Sequence, residues 1–330
     1  GRRRWVLGAF ANTKISGFAT DFLSSLTELT NISCLFAKGT ISSVNLQSTN
    51  SPTFTPSPHV SGETNWSARD DALAYCYIPG VDDPIIGKIV NTIFENNTKL
   101  KRVDACFAGN TGFTGICNAD GSDADGSKLF ESARSNIQSI DGLFANCSIE
   151  TGSGDEGASY KGLTSNVHIN LFKGMTNLTS AQNVFAGCFS LTGSIPSDLF
   201  EGCDNLMSTR GMFHRCYNLG IGESSTSISI PNRLFDSCRD SIQNTSYMFA
   251  KCGFAGRIGV GTKPVVGSDG LLANASYENK GLLAECTNLL DTSAMFFGCR
   301  NLKGAIPEDI FYTRDNLNTY LYYEETFCSN

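Results

Sequence analysis

The sequence has few charged residues, few histidines and no long apolar run. Charged residues make up 17% of the chain, and only 3 histidines occur in it. So little histidine leaves little material for metal sites or general-base catalysis. The net charge of -7 offers no general attraction to nucleic-acid phosphates. No stretch approaches the roughly 20 apolar residues that span a bilayer. We therefore expect no nucleic-acid partner and no membrane insertion.

The signature motifs of enzymes are also missing. Nothing resembles a nucleophile elbow, a phosphate loop or a paired-carboxylate constellation. The glycines between Gly256 and Gly261 lack the preceding strand and following helix of a dinucleotide site. We therefore expect no catalytic residue, no cofactor and no enzymatic activity.

What the chain does contain is an internal repeat. A phenylalanine is often followed by cysteine three residues on and leucine six residues on, and this pattern occurs twice in each copy, 13 or 14 residues apart. The first position of the copies holds Phe22, Phe94, Phe130, Phe172, Phe200 and Phe235, with Leu283 in the same role. The second position holds Phe36, Phe107, Phe144, Phe185, Phe213, Phe249 and Phe296. We call these the first-Phe and second-Phe positions.

The shortest copy spans 28 residues, and all variation in length falls between a second-Phe position and the next first-Phe position. Such a unit is too small to bury its own apolar face, whereas stacked copies bury a continuous one. We therefore predict a solenoid of stacked turns with short parallel strands, little helix and loops inserted at one edge. Segments 178–180 and 191–195 are the candidate strands of one turn. The predicted organisation is a partial repeat at 1–21, seven turns at 22–310 and a degenerate or partial repeat at 311–330, with insertion loops at 37–93, 108–129, 148–171, 217–234 and 253–282.

Two phrases carry a resemblance to a known family. Val-Phe-Ala-Gly-Cys-Phe-Ser-Leu-Thr-Gly (184–193) and Met-Phe-Phe-Gly-Cys-Arg-Asn-Leu-Lys-Gly (295–304) resemble the BspA-like leucine-rich repeats of bacterial surface proteins, in the variety with repeats of about 26 residues. The resemblance covers about 10–317. It implies a leucine-rich-repeat-like fold and a surface-displayed role in adhesion and recognition. The irregular insertions and the leucine at position 283 depart from the family pattern.

The repeat also predicts the core. Buried aromatic rings at both Phe positions and small buried thiols three residues later would form it. We predict core positions at Phe172, Phe185, Cys188, Phe200, Cys203, Phe213, Cys216, Phe235, Cys238, Phe249, Cys252, Phe296 and Cys299. With 13 cysteines, complete internal pairing is impossible, although disulfides between adjacent turns remain an alternative to a ladder of free thiols. The cysteine spacing and the scarcity of histidine argue against a zinc site.

The insertion loops are the predicted place for binding residues, because loops on a rigid scaffold commonly carry function. Aromatic and charged side chains on them suit contact with a glycan or a protein; the alternative is that they pack over the solenoid or against a neighbouring chain. The candidates are His59, Trp66, Tyr75, Tyr77, Asp155, Glu156, Tyr160 and Tyr277. Asp120, Asp123 and Asp125 are weak calcium candidates, because their spacing fails the EF-hand register. No other metal site is expected.

Together these observations predict a non-enzymatic recognition or adhesion module that binds a protein or glycan on a cell surface. The alternative is a structural protein of a bacteriophage virion, such as a tail fibre, a receptor-binding component or a capsid decoration. The expected location is accordingly extracellular, at a cell surface or in a virion. Solenoids normally carry polar capping repeats, and neither end of this sequence offers one, so we expect a neighbouring domain or subunit to cover the ends.

Overall fold

Short strands and turns make up the fold, with little helix. The computed structural model describes residues 9–10, 23–38, 87–151, 159–164, 166–259, 281–304, 306–307 and 310, together with the backbone of 41–43 and 53–54. The strands are β1 (Ile41–Ser43), β2 (Thr53–Phe54), β3 (Gly87–Val90), β4 (Phe113–Cys117), β5 (Asp123–Ala124), β6 (Ser148–Glu150), β7 (Tyr160–Gly162), β8 (Ile228–Ile230) and β9 (Arg257–Ile258). Among the described residues, short 3-10 helices span Gly126–Lys128, Glu131–Asn136 and Asp236–Cys238.

The named strands form small sheets. Strands β3 and β4 pair in parallel and β5 joins β4 antiparallel. The pairs β1–β2 and β6–β7 are antiparallel, whereas β8 and β9 are parallel. The predicted strand at 191–195 is wrong, because this segment has no strand structure. Gly193 in its middle has a φ of 97°, a left-handed conformation that interrupts extended backbone.

Consecutive copies of the repeat are joined by parallel bridges. The bridges run from copy to copy through Asn31, Arg102, Ser139, Ser180, Ser208, Asn244 and Asp291, each of which lies five residues before a second-Phe position. The ladder segment of a copy begins at this bridged residue and ends two residues after the second phenylalanine. Ser180, in the other predicted strand, therefore takes part in a ladder as a single bridge and not as a strand.

The ladder segments share one hydrogen-bond pattern, in which alternate N–H groups of one copy donate to carbonyls of the next. Ala181, Asn183, Phe185 and Gly187 donate to Ser208, Arg210, Met212 and His214 at 3.0, 2.8, 2.8 and 2.8 Å. The same four donor positions are used from Ile32 of one copy through to Lys251 of another. Backbone polar groups beside the core are thereby satisfied without long strands.

Left-handed backbone recurs at two places in the ladder segment. The residue two before the second phenylalanine and the residue two after it both have positive φ, as at Asn183 (55°) and Gly187 (73°). Asparagine and glycine tolerate this conformation best, which gives part of the chain's glycine a structural cause. At Gly187 a Cβ atom would also come within 1.9 Å of the Asn146 side-chain oxygen, so a larger residue there would require the Asn146 side chain to move.

The core contains a continuous stack of phenylalanine rings. Phe213 is fully buried, and its ring lies 5.4 Å from that of Phe185 and 5.9 Å from that of Phe249, with planes within 7° of parallel. The rings at the second-Phe positions stack in this way from Phe36 to Phe296. Of the predicted core positions, the structure buries Phe172, Phe185, Cys188, Phe200, Cys203, Phe213, Cys216, Phe235, Cys238, Phe249, Cys252 and Phe296, and it partly buries Cys299.

The cysteines three residues after a second phenylalanine are free thiols that donate hydrogen bonds to backbone carbonyls. The Sγ atoms of Cys188 and Cys216 lie 3.0 and 3.2 Å from the carbonyl oxygens of Phe144 and Phe185, the second phenylalanines of the preceding copies. In the copy that has Asn110 in place of this cysteine, its amide donates to the Phe36 carbonyl at 2.8 Å. The position therefore favours a small hydrogen-bond donor, which explains why cysteine recurs there without a disulfide partner.

We predict that these thiols resist alkylation in the folded protein. Burial raises the pKa of Cys188 to about 12, so at pH 8 its thiolate is about a thousandfold scarcer than that of an ordinary cysteine. Iodoacetamide treatment followed by peptide mass spectrometry should modify Cys188, Cys216 and Cys252 only after denaturation. Labelling of Cys188 in the folded protein at the rate of free cysteine would contradict this burial.

These contacts join each copy to its neighbours in the sequence, as the stacking of copies requires. The leucine-rich-repeat-like solenoid with all its insertions at one edge stays a prediction. Within the described part of the chain, no helix is long and apolar enough to cross a membrane.

Candidate functional site

An antiparallel hairpin in the third complete copy presents Tyr160. Its strands β6 and β7 pair Glu150 with Tyr160. The N–H of Leu163 donates to the Cys147 carbonyl at 2.7 Å, which ties the end of the hairpin back to the repeat. Gly162 makes this close approach possible, because a Cβ atom there would lie 2.3 Å from the Cys147 carbonyl oxygen. The hairpin is thereby anchored to its own copy.

Tyr160 belongs to a partly exposed cluster of three aromatic rings, which we call the aromatic cluster: Tyr160, Phe189 and Tyr217. The rings of Phe189 and Tyr217 stack at 5.2 Å with planes 14° apart. The Tyr160 ring lies 5.7 Å from Phe189 and 5.6 Å from Tyr217, inclined at 55° and 43°. The three rings therefore pack against one another as one cluster.

The repeat explains how two of these rings come together. Phe189 and Tyr217 each follow the repeat cysteine directly, four residues after a second phenylalanine. Because adjacent copies stack in register, equivalent side chains lie one above the other. The same position holds Ser148, Gly253 and Arg300 in other copies, so the fold itself does not require an aromatic residue there.

Polar groups border the aromatic cluster on the hairpin side. Burial, with a smaller contribution from the negative charge of Glu150, raises the pKa of the Tyr160 phenol, so this hydroxyl remains protonated at neutral pH. The Thr151 hydroxyl donates to the Ser159 carbonyl at 3.0 Å, where the two strands of the hairpin run into the loop between them. The surface thus combines aromatic rings with a carboxylate acceptor and hydroxyl groups.

The structure brings one of the predicted binding residues, Tyr160, into this cluster. The other binding candidates lie outside the described residues: His59, Trp66, Tyr75, Tyr77, Asp155, Glu156 and Tyr277. Sequence reasoning missed Phe189 and Tyr217. An aromatic residue directly after the repeat cysteine in two adjacent copies is the signal that could have identified them.

The three calcium candidates have separate protein partners. Asp120 accepts hydrogen bonds from the backbone and hydroxyl of Ser122, and Asp123 forms an ion pair with Lys88 at 2.8 Å. Asp125 accepts from the Ser127 backbone at 2.9 Å and thereby caps a 3-10 helix. Within the described residues, no three metal-ligating side chains come together.

Two carboxylates on the ladder segments form a second candidate site. Asp104 accepts from the Ser139 hydroxyl at 2.5 Å and pairs with Arg102 at 2.9 Å. Asp141, in the next copy, accepts from the Ser180 hydroxyl at 2.6 Å and from the Gln182 backbone at 2.8 Å. Burial and then the neighbouring charge of Asp104 raise the pKa of Asp141 to about 6. These contacts connect adjacent ladders, so the pair serves the stacking of copies.

Replacing Asp141 with asparagine should stabilise the protein at neutral pH. A carboxyl whose folded pKa is raised contributes most stability below its unfolded pKa near 3.8, and this contribution is lost as pH rises through about 6. Asparagine can accept the same two hydrogen bonds without charge. We expect Asp141→Asn to raise the free energy of unfolding by about 1–3 kcal/mol at pH 7.5 and by less at pH 4. Urea unfolding at both values of pH measures this; equal effects at both would contradict it.

A shallow cavity of about 270 Å³ lies between the fifth and sixth copies, lined by residues that include Asp198, Glu201, Arg233 and Asp236. Lys173 forms ion pairs with Asp198 and Glu201, and Arg233 pairs with Asp236 at 2.8 Å. Because these opposite charges are matched within the protein, the cavity offers weaker chemistry for a ligand than the aromatic cluster does.

Comparisons with known proteins give no indication of what this site does. No family model, no curated protein and no solved structure matched the chain.

Proposed function

We propose that this protein is a non-enzymatic recognition module that binds a protein or glycan outside the cell through a surface built on stacked repeats. The observation that carries the proposal is the aromatic cluster. Adjoining aromatic rings at a protein surface are typical of interaction sites, and tyrosine is enriched where proteins bind partners. Here an insertion and two consecutive copies contribute one ring each.

The stacked contacts support a rigid scaffold beneath this surface. The described ladder segments are hydrogen-bonded from copy to copy, and the phenylalanine rings of these segments stack on one another in the core. A binding surface on such a support loses little conformational entropy when its partner docks. The BspA-like repeat resemblance and the leucine-rich-repeat-like solenoid belong to the same proposal.

An extracellular location fits the chemistry of the cysteines. Thiols survive in an oxidising compartment when they are buried and protonated. Burial raises the pKa of Cys203 and Cys286 to about 12, and the described cysteines are free. The protein could therefore retain its thiol hydrogen bonds at a cell surface.

Binding to arrays of cell-surface glycans and secreted proteins tests this function. We expect saturable binding by the full chain and a loss of at least about tenfold in affinity for the double variant Tyr160→Ala with Tyr217→Ser. Serine already occupies the position of Tyr217 in another copy, at Ser148, so the fold should tolerate it.

The matched control is Tyr247→Ala. Tyr247 is also a partly exposed tyrosine in the repeat, and alanine holds the equivalent position with the same left-handed backbone at Ala105 and Ala294. The control should bind as the unaltered protein does. No binding to either array, or equal binding by the double variant, would overturn the proposal.

A further inference from the structure

We propose that acid prevents recognition by the aromatic cluster, because two buried histidines pack on the same two copies of the repeat that carry its stacked rings. This regulation rests on the proposed function and concerns the same surface. Phe189 belongs to the fourth copy and Tyr217 to the fifth. His168 and His214 are both buried against these two copies. Protonation of either imidazole therefore acts on the packing that supports the cluster.

His168 lies in the core beside the phenylalanine rings of both copies. Its ring centroid is 6.2 Å from that of Phe185 and 6.0 Å from that of Phe213, with planes 81° and 85° apart. A carbonyl oxygen only accepts hydrogen bonds, so the Nε2 atom, 3.0 Å from the Ser194 carbonyl oxygen, carries the proton of the neutral ring. The buried Nδ1 atom has no hydrogen-bond partner. In acid this atom takes up the second proton and becomes an unpaired donor on a buried charge.

His214 lies at the junction of the fourth and fifth copies. It directly follows Phe213, and its carbonyl accepts a hydrogen bond from the N–H of Gly187 at 2.8 Å. Its ring meets that of Tyr247 edge-on at 6.2 Å. The charged groups that act on its imidazole are the cations of Arg210, Arg215 and Lys251. A protonated imidazole at this place would be a buried charge among like charges.

The contacts of the histidines lie next to the aromatic cluster. Phe189 and Tyr217 each stand four residues after a phenylalanine that the His168 ring contacts. The N–H of Asn218 donates to the Phe189 carbonyl at 3.2 Å and joins the two turns that carry the rings. Opening of these two copies would therefore separate Phe189 from Tyr217 and remove the surface that binds the partner.

The direction of the pH effect follows from the burial of the imidazoles. Burial lowers the pKa of His168 to about 4, and within the described residues no charged side chain shifts it. Burial, together with the three cations, lowers the pKa of His214 to about 3. In an opened copy a histidine titrates near pH 6.5, so acid favours opening. Between pH 7.5 and pH 4.5 each histidine should raise the equilibrium constant for opening about a hundredfold.

The opposite sign applies to the second and third copies. Burial and the charge of Asp104 raise the pKa of Asp141 to about 6, so acid stabilises the contacts that this carboxyl makes. Stacked repeats are held mainly by their nearest neighbours, and one group of copies can open while the rest stays folded. Acid should therefore open the copies beneath the aromatic cluster first.

The cysteines beside the cluster report this opening without any ligand. Cys188 and Cys216 directly precede Phe189 and Tyr217, whereas Cys106 is buried in the second copy. The full chain is treated with a dithiodipyridine reagent, which reacts with thiols in acid, and each labelling rate is compared with that of the urea-denatured chain at the same pH. From pH 7.5 to 4.5, protection of Cys188 and Cys216 should fall at least about a hundredfold, and that of Cys106 less than about tenfold. Equal loss at all three thiols, or no loss at any, would overturn the proposal.

The double variant His168→Gln with His214→Ala should remove the acid response. Glutamine retains an N–H donor for the Ser194 carbonyl, and alanine holds the position equivalent to His214 in neighbouring copies. Protection of Cys188 in this variant should change by less than about threefold between the two values of pH. Asp141→Asn is the control, because it removes a buried titratable group from another copy, and it should leave the acid response at Cys188 in place. An acid response that persists in the double variant would contradict the role of the histidines.

Binding at the same two values of pH connects the opening to recognition. The probes are the arrays of cell-surface glycans and secreted proteins. Acid should weaken binding that depends on Tyr160 and Tyr217 at least about tenfold in the unaltered chain, and less than about threefold in the double histidine variant. Cluster-dependent binding that is equal at both values of pH would overturn the regulation and leave the recognition function in place. Absence of binding at pH 7.5 would overturn the recognition function itself, and with it this regulation.

Discussion

Replacing Phe213 with alanine should cost about 3–5 kcal/mol of unfolding free energy, the range measured for large-to-small changes at fully buried aromatic positions. The ring of Phe213 is 0% exposed and stacks between Phe185 and Phe249. The edge of the His168 ring also faces it, at 6.0 Å. Alanine would leave a cavity between two rings whose backbones are fixed by the ladder hydrogen bonds, so the site has little freedom to collapse.

The control is Phe189→Ala, which removes the same side chain from a partly exposed position one copy earlier. It should cost less than half as much, because water can occupy the vacated space. Urea unfolding followed by circular dichroism measures both variants. Because repeat proteins are stabilised mainly by contacts between neighbouring copies, a lower slope of the Phe213→Ala transition would show that the stack has separated into two unfolding units. A loss below about 1.5 kcal/mol would contradict the buried ring stack.

The sequence predicts the pairing of equivalent positions well, because spacing alone determines which residues meet when copies stack. It predicts the burial of Phe213 and Cys216, for example, from their places in the repeat. It does not predict how the backbone of each copy is hydrogen-bonded. Regular strands were expected, whereas left-handed residues such as Asn183 break the ladder into single bridges. Residue type does not indicate that conformation, because Tyr247 and Ala294 adopt it at the position equivalent to Asn183.

The candidate site, too, is predicted only in part by the sequence. Tyr160 is identified from sequence as a tyrosine next to a glycine-rich insertion. Its contact with Tyr217, 57 positions later in the sequence, depends on where the hairpin folds back. The close approach of Gly162 to Cys147 determines that direction. The composition of a segment can indicate that it forms a loop, but only the three-dimensional packing specifies which rings the loop covers.

Two buried histidines should make the protein sensitive to acid. His168 is 0% exposed, its Nε2 lies 3.0 Å from the Ser194 carbonyl oxygen, and its buried Nδ1 has no hydrogen-bond partner. Burial lowers its pKa to about 4. His214 is also buried, and burial together with the charges of Arg215, Lys251 and Arg210 lowers its pKa to about 3.

The sign of the effect follows from proton uptake. In the unfolded chain a histidine titrates near pH 6.5, so between that value and the folded pKa the unfolded state binds more protons. Stability therefore falls as pH decreases through this window. For His168 the window runs from about 6.5 to 4 and corresponds to about 3 kcal/mol at 1.4 kcal/mol for each pH unit. For His214 it extends to about pH 3.

His214→Ala isolates this contribution. Alanine occupies the equivalent position in other copies, at Ala145, Ala186 and Ala250, so the fold accommodates it. At pH 7.5 the variant should lie within about 1 kcal/mol of the unaltered protein, whereas at pH 4.5 it should be more stable by about 2–3 kcal/mol. His168→Gln retains an N–H donor for the Ser194 carbonyl. This variant should also lose less unfolding free energy than the unaltered protein as the pH falls.

Urea unfolding between pH 4 and 8 measures these differences. Titration of Asp141 has the opposite sign, since its raised pKa makes acid stabilising, but it is common to the unaltered protein and the histidine variants and cancels in their difference. A His214→Ala curve parallel to that of the unaltered chain would mean that this imidazole reaches solvent, and that the packing of the two copies around it is looser than the structure shows.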